Sequence, residues 1–196
     1  MQGLADGYFV LPNTINDYLA GAPFPKVALD DPAVVEAVNA VKERISTLLS
    51  IDGSRTVDSF HKELGHIMWE YCGMERTEEG LKKAIGLIRE LKAEFWRDVK
   101  VTGENEEFNQ TLERAGRVAD FIELGELMSV DALHRRESCG GHFRAESQTP
   151  EGEALRHDDE FLYVAAWEWN GEGNVPVLHR EPLNYKAIEL KQRSYK

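Results

Sequence analysis

Four stretches between residues 32 and 136 carry apolar side chains at i, i+3, i+4 and i+7, and a chain patterned in this way must pack those stripes against one another. Asp31-Pro32 supplies an N-cap with proline at the first helical position. Val34, Val35, Val38, Val41, Ile45 and Leu48 follow, predicting a helix over 32–50 that Gly53 and Ser54 break. Thr56 caps a second helix with Phe60, Leu64, Ile67, Met68 and Tyr71 on one face and an end near Gly73; Cys72 extends its apolar row. Thr77 opens a third, with Glu78 and Glu79 in the first turn and Leu81, Ile85, Ile88, Leu91 and Phe95 as its core face. After the polar break Thr102-Gly103-Glu104-Asn105, a fourth carries Phe108, Leu112, Ala115, Val118, Ala119, Ile122 and Leu127 to about Arg136, a length of about 45 Å.

The predicted fold is therefore mainly α: an up-and-down bundle of three to four helices, spectrin-repeat-like, followed by a small β-hairpin and an irregular C-terminal tail. Residues 1–30 form a lead-in segment. Gly3, Gly7, Pro12, Gly21, Pro23 and Pro25 there leave room only for a brief helix over Thr14 to Ala20. Residues 31–137 form the bundle domain and 138–196 the loop, hairpin and tail. In that last part Phe161 to Trp169 has strand composition, Asn170 to Asn174 is a turn, and Val175 to Leu183 returns as an edge strand because it contains Pro176 and Pro182. Trp167 and Trp169 share one strand face, suited to packing on the bundle. From His179 onward five Lys and Arg stand against two Glu, a small basic tail.

The chain has 196 residues with 23 Lys and Arg against 35 Asp and Glu, a net charge of −12. That sign opposes the counterion release that drives nucleic-acid binding, so no DNA or RNA partner is expected. No apolar run approaches the roughly 20 residues a membrane span requires, and Met1 to Asp6 lacks the basic start of a signal peptide. No direct membrane insertion is expected, and the expected location is cytoplasmic. Cys72 and Cys139 fit a reducing compartment and form neither a disulfide framework nor a metal knuckle.

Three constellations hold chemistry-bearing residues. Glu63-x-x-His66 and Asp131-x-x-His134 each put a carboxylate and an imidazole on one helix face, the raw material of a carboxylate-histidine metal site; solvated or half-buried side chains are the plainer reading. Cys139 stands three residues before His142, but it follows a helix C-terminus whose dipole opposes a thiolate, which favours a structural cysteine. The densest cluster is His134 to Arg144. Arg135 and Arg136 suit a helix C-terminus, with Gly140 as the stop. That account leaves Gly141, His142 and Arg144 over, in a segment able to bring backbone close to a partner and to pair cations with carboxylates or phosphates.

Three segments resemble the C-terminal third of the flavoprotein subunit of succinate dehydrogenase and fumarate reductase. Met1 to Pro12 is similar to the segment after the family's Ser-Leu flavin contact, in the branch that reads Ala-Leu-Met-Gln-Gly there. Arg136-Glu137-Ser138-Cys139-Gly140-Gly141-His142-Phe143-Arg144 resembles the signature Arg-x-Glu-Ser-Arg-Gly-Ala-His-x-Arg, with Cys139 and Gly141 where many members have Arg and Ala. Ala187 to Lys196 is similar to the same branch's terminus.

The resemblance implies two-electron transfer between succinate or fumarate and FAD, then single-electron transfer through an iron-sulfur subunit towards a membrane anchor subunit with quinone. It also implies that the FAD fingerprint, the flavin-carrying histidine, the capping domain and the substrate-gripping arginine lie upstream of Met1. These 196 residues would then be an inactive scaffold and docking fragment, without catalytic, cofactor-binding or metal residues and without FAD of their own. The intact complex would sit peripherally on the cytoplasmic face of the inner membrane. Arg136, Glu137, Ser138, Gly140, His142 and Arg144 are the expected interface, lying against the flavin domain or the iron-sulfur subunit, and replacing His142 or Arg144 with Ala is expected to loosen assembly or flavin retention. Apolar faces normally covered by the rest of the subunit would favour self-association of the fragment. The competing readings are a stand-alone bundle with a metal site on Glu63, His66, Asp131 and His134, and a free-standing interaction module.

Overall fold

The computed structural model describes residues 2–104, 108–171, 174–192 and 194. Asn105 of the predicted break, the centre of the hairpin turn, and Arg193, Tyr195 and Lys196 of the family-like close lie outside the described residues. Two compact units divide at Arg44 and Ile45.

The first unit holds the expected helix over Thr14 to Ala20 within a longer one and adds helical turns ahead of it. It contains helices α1 (Gln2–Ala5) and α2 (Leu11–Gly21), joined by a π-helical stretch Asp6–Val10. The wide turn, in which the Leu11 amide donates to the Asp6 carbonyl, stands immediately before Pro12. Proline lacks an N–H and its ring crowds the carbonyl four residues back, and a one-residue widening relieves that conflict without ending the helix. Pro23 and Pro25 then hold the chain out of helix until Asp31 caps α3 (Pro32–Ser50), accepting from the Ala33 amide at 2.9 Å. Among the described residues of this unit none is buried, so Tyr8, Phe9, Leu11, Val35, Val38 and Val41 all present apolar surface.

The second unit is the bundle with its hairpin. Helices α4 (Val57–Cys72), α5 (Glu78–Asp98) and α6 (Gln110–His134) start at Thr56, Thr77 and Asn109, whose side chains accept from the amides of Ser59, Gly80 and Leu112. Thr56 and Thr77 are the predicted caps; α6 begins after Phe108, which is 85% exposed, and ends two residues before Arg136. The core joins Leu48 from the end of α3 to Phe60 and Leu64 of α4, Ile88, Leu91 and Phe95 of α5, and Ala115, Val118 and Ile122 of α6. Phe60 and Phe95 meet edge to face at 5.2 Å between ring centres.

Small residues set the helix spacing. A Cβ at Gly125 on α6 would meet Leu64 Cδ1 and Met68 Sδ of α4 at 3.3 Å, and Ser129, one turn on, spends its hydroxyl on the Gly125 carbonyl at 2.9 Å. These two buried positions were invisible to an apolar count.

Strands β1 (Arg55–Thr56) and β2 (Val99–Lys100) form a short parallel pair that ties the start of α4 to the end of α5. A short helix α7 (Asp158–Phe161) leads into β3 (Tyr163–Glu168), which pairs antiparallel with β4 (Val177–Pro182) in the register Tyr163 with Pro182, Ala165 with Arg180 and Trp167 with Leu178. Phe161 is therefore helical and buried, where a strand start is expected from sequence. The hairpin is anchored to α6 by the Trp167 indole N–H on Asp131 at 2.6 Å; Trp169 lies beyond the strand and is 57% exposed. No helix of the described residues is long and apolar enough to cross a membrane.

Candidate functional site

Beyond the last turn of α6 the chain folds back on the helix it has just left. Cys139 and His142 exchange both backbone hydrogen bonds, at 2.9 and 3.0 Å, around Gly140 and Gly141. Gly140 has a φ of 59°, a left-handed conformation that a β-carbon strains, and it occupies the first central position as in a II′ turn. The turn sends Arg144 back under α6. There its guanidinium, 2% exposed as a residue, donates to the carbonyls of Ala132 at 3.0 Å and Leu133 at 3.4 Å. These are the orphan acceptors at the negative end of the helix dipole. The sequence assigns that duty to Arg135 and Arg136; the structure gives it to Arg144, so this cation is satisfied internally.

Arg144 also reaches Glu146 through Nε at 3.1 Å, and Glu146 accepts the Glu78 amide at 2.7 Å. The carboxylate thus sits on the positive end of α5 while its partner sits on the negative end of α6. Burial opposes the charge, but the Glu78 amide, the residue's own amide and Arg144 hold the Glu146 carboxyl below the usual range. Backbone bonds from Arg76 to Phe143 and from Ala145 to Arg76 dock the loop on the α4–α5 connection.

Glu137 and Ser138 form the inner wall. Glu137, 2% exposed, pairs with Arg135 at 2.7 Å and accepts the His157 amide at 3.0 Å. Ser138 Oγ accepts the Arg144 amide at 2.8 Å. His142 is pinned on both nitrogens. The Arg76 guanidinium can only donate, so Nδ1 accepts from it at 2.8 Å, and Nε2–H donates to the Arg135 carbonyl at 2.8 Å. Burial, with Arg76 and Arg144 nearby, lowers its pKa against the pull of that carbonyl, so the ring is neutral near pH 7.

Of the six interface candidates, Glu137, Ser138 and Arg144 are buried framework, His142 is half-buried, and Arg136 and Gly140 are exposed. The exposed edge is completed by Cys139 and Gly141. Desolvation and the Glu137 carboxylate push the Cys139 thiol up, the opposite of what a nucleophile requires. Arg76 and Glu146, which the sequence reading missed, carry no periodic signal. Both join the site through tertiary contacts.

Glu63 pairs with Arg55 at 2.7 Å, Asp131 with Trp167, and His134 Nε2 lies 2.8 Å from the Tyr163 hydroxyl. Among the described residues no group of three or more His, Cys, Asp and Glu is arranged to hold a metal ion.

Residues 61–195 match the family described as fumarate reductase flavoprotein C-term. The fumarate reductase flavoprotein subunit of Serratia sp. is 32% identical over 177 residues, covering 90% of this chain and 28% of the relative. The succinate dehydrogenase flavoprotein subunit of Bacillus subtilis is 24% identical over 195 residues, covering 100% of this chain and 32% of the relative. A solved structure of E. coli quinol fumarate reductase superposes with a TM-score of 0.70 at 27% identity over 88% of this chain and 28% of that one.

Fold and loop together define a C-terminal helical domain of the flavoprotein oxidoreductases. The chain belongs to the fumarate reductase and succinate dehydrogenase flavoprotein family, and it spans about a third or less of the length of the relatives named here.

Flavoproteins of this family imply FAD, and the described residues do not form its cradle. Their parallel pairing is two residues per strand, and Gly53, ahead of β1, is closed rather than open: a Cβ there would lie 2.2 Å from the Asp98 carbonyl oxygen. A dinucleotide needs a glycine turn free to receive a pyrophosphate at a helix start.

Proposed function

We propose that this chain is the scaffold and docking domain of a subunit that interconverts succinate and fumarate, with FAD bound outside these 196 residues. In this reading electrons pass to an iron-sulfur subunit and on to quinone at a membrane anchor subunit, with the complex peripheral on the cytoplasmic face of the inner membrane. The chain contributes no reacting group. Its task is to hold the loop of Arg136 to Arg144 rigid against the flavin domain or the iron-sulfur subunit.

The observation that carries this reading is the division of the loop into two faces. Glu137, Ser138 and Arg144 are spent on the fold, while Arg136, Cys139, Gly140 and Gly141 form an exposed edge free of bulky side chains except Arg136. Such an edge lets a partner's surface approach the backbone closely. His142 and Arg144 therefore act on assembly through the loop's shape, and Arg136 acts directly.

Arg136→Glu in the intact multi-subunit enzyme is the test. The residue is 69% exposed on its side chain, so folding is unaffected, and the charge reversal should weaken association with the iron-sulfur subunit or retention of flavin by about tenfold. Unchanged subunit composition, flavin content and turnover would refute the docking role.

A further inference from the structure

The end of α6, helix α7 and the hairpin line a cleft of about 470 Å³, which shares Arg136 with the docking edge. Leu133, His134, Phe161 and Tyr163 line it together with the cations Arg136 and Arg180 and one acid, Glu160, which Arg136 holds at 3.1 Å. The hairpin register explains the second cation. Arg180 stands opposite Ala165 and diagonal to Tyr163, so it shares the face of β3 that turns towards α6, and its guanidinium lies 4.7 Å from the centre of the Tyr163 ring.

In a chain of net charge −12, this concentration of positive charge is against the trend. Arg135 lies behind the wall, 5.3 Å from the same ring, and is satisfied by Glu137 and the carbonyls of Phe161 and Tyr163. Among the described residues Arg136 has a single carboxylate partner, Glu160, at 3.1 Å, an exposed pair of the kind that contributes little and exchanges readily. Arg180 has no carboxylate partner among the described residues; the Tyr163 ring holds its planar fork in place. Asp131 is engaged by Trp167. His134 reports the resulting field: burial first, then Arg180, Arg135 and Arg136, push its pKa down against Asp131, leaving a neutral ring hydrogen-bonded to the Tyr163 hydroxyl.

We infer that this cleft binds a small organic carboxylate with a flat apolar body. Two guanidinium forks match the planar geometry of a carboxylate that displaces Glu160 from Arg136, and the organic part rests against the apolar lining from Leu133 and the accessible edges of Phe161 and Tyr163. A volume of about 470 Å³ falls in the range of small-molecule sites and far exceeds what a bare ion fills.

Calorimetric titration of the 196-residue chain with benzoate, acetate and inorganic phosphate tests the assignment. Saturable benzoate binding is expected, at least tenfold tighter than acetate and tighter than phosphate, and at least tenfold weaker in Arg180→Gln and in Arg136→Gln. Both side chains are exposed, so each variant should keep the parent's circular dichroism and melting temperature. Absence of saturable benzoate binding, equal affinity for acetate or phosphate, or unchanged affinity in both variants would each overturn the site.

Discussion

Arg144→Ala should lower the unfolding free energy of this chain by about 3 kcal/mol in chemical denaturation. Hydrogen bonds from a charged donor to otherwise unpaired acceptors are worth about 1.5 to 3 kcal/mol each, and Arg144 supplies a good one to Ala132 and a longer one to Leu133, while also neutralising Glu146. For a unit of this size the melting temperature should fall by about 6 to 12 °C. Arg144→Lys should lose roughly half as much, since one ammonium cannot reach both the helix end and Glu146. The cost arises because the residue joins the ends of two helices, where a solvated cation would contribute a few tenths of a kcal/mol. A loss below about 1 kcal/mol would mean that water replaces the guanidinium at the end of α6.

Glu137→Ala should cost about 3 to 4 kcal/mol, because removing one member of a buried ion pair leaves the other charge without compensation. Arg135 keeps its carbonyl acceptors and the flanking rings of Phe161 and Tyr163, which limits the damage, but the His157 amide loses its acceptor and the start of α7 is released. Glu137→Gln preserves the shape and one acceptor and should cost about half. Urea denaturation followed by circular dichroism measures both, and a Glu137→Ala variant within about 0.5 kcal/mol of the parent would show that the pair contributes nothing to the loop. These two side chains are part of the family-like signature, and their burial explains why the signature reads as chemistry in sequence while acting as architecture in the fold.

The bundle was legible because its determinants are local. Asp31, Thr56 and Thr77 cap the helices they were expected to cap, and the stripe of Phe60, Leu64 and Ile67 faces that of Ile88, Leu91 and Phe95. In the lead-in the helix over Thr14 to Ala20 is legible, and its extension back to Gln2 is not, because by composition Pro12 marks a helix break. A π turn absorbs it, and that device has no compositional mark.

The loop was read half correctly. Spacing and glycines located it, yet whether a cation faces solvent or a helix end depends on the hairpin at Gly140, which turns Arg144 inward and leaves Arg136 outside. Sequence distance likewise hides Arg76, which meets His142 across 66 positions. The carboxylate-histidine pairs illustrate the same limit: i, i+3 spacing aligned Asp131 with His134, but the hairpin's Trp167 and Tyr163 took them as hydrogen-bond partners.

In the proposed role this domain supports a redox centre and holds none. Absorption spectroscopy of the purified 196-residue chain, with succinate-dependent dye reduction recorded on the same sample, tests it most directly. A colourless protein without turnover is the predicted result; a flavin band accompanied by dye reduction would contradict it.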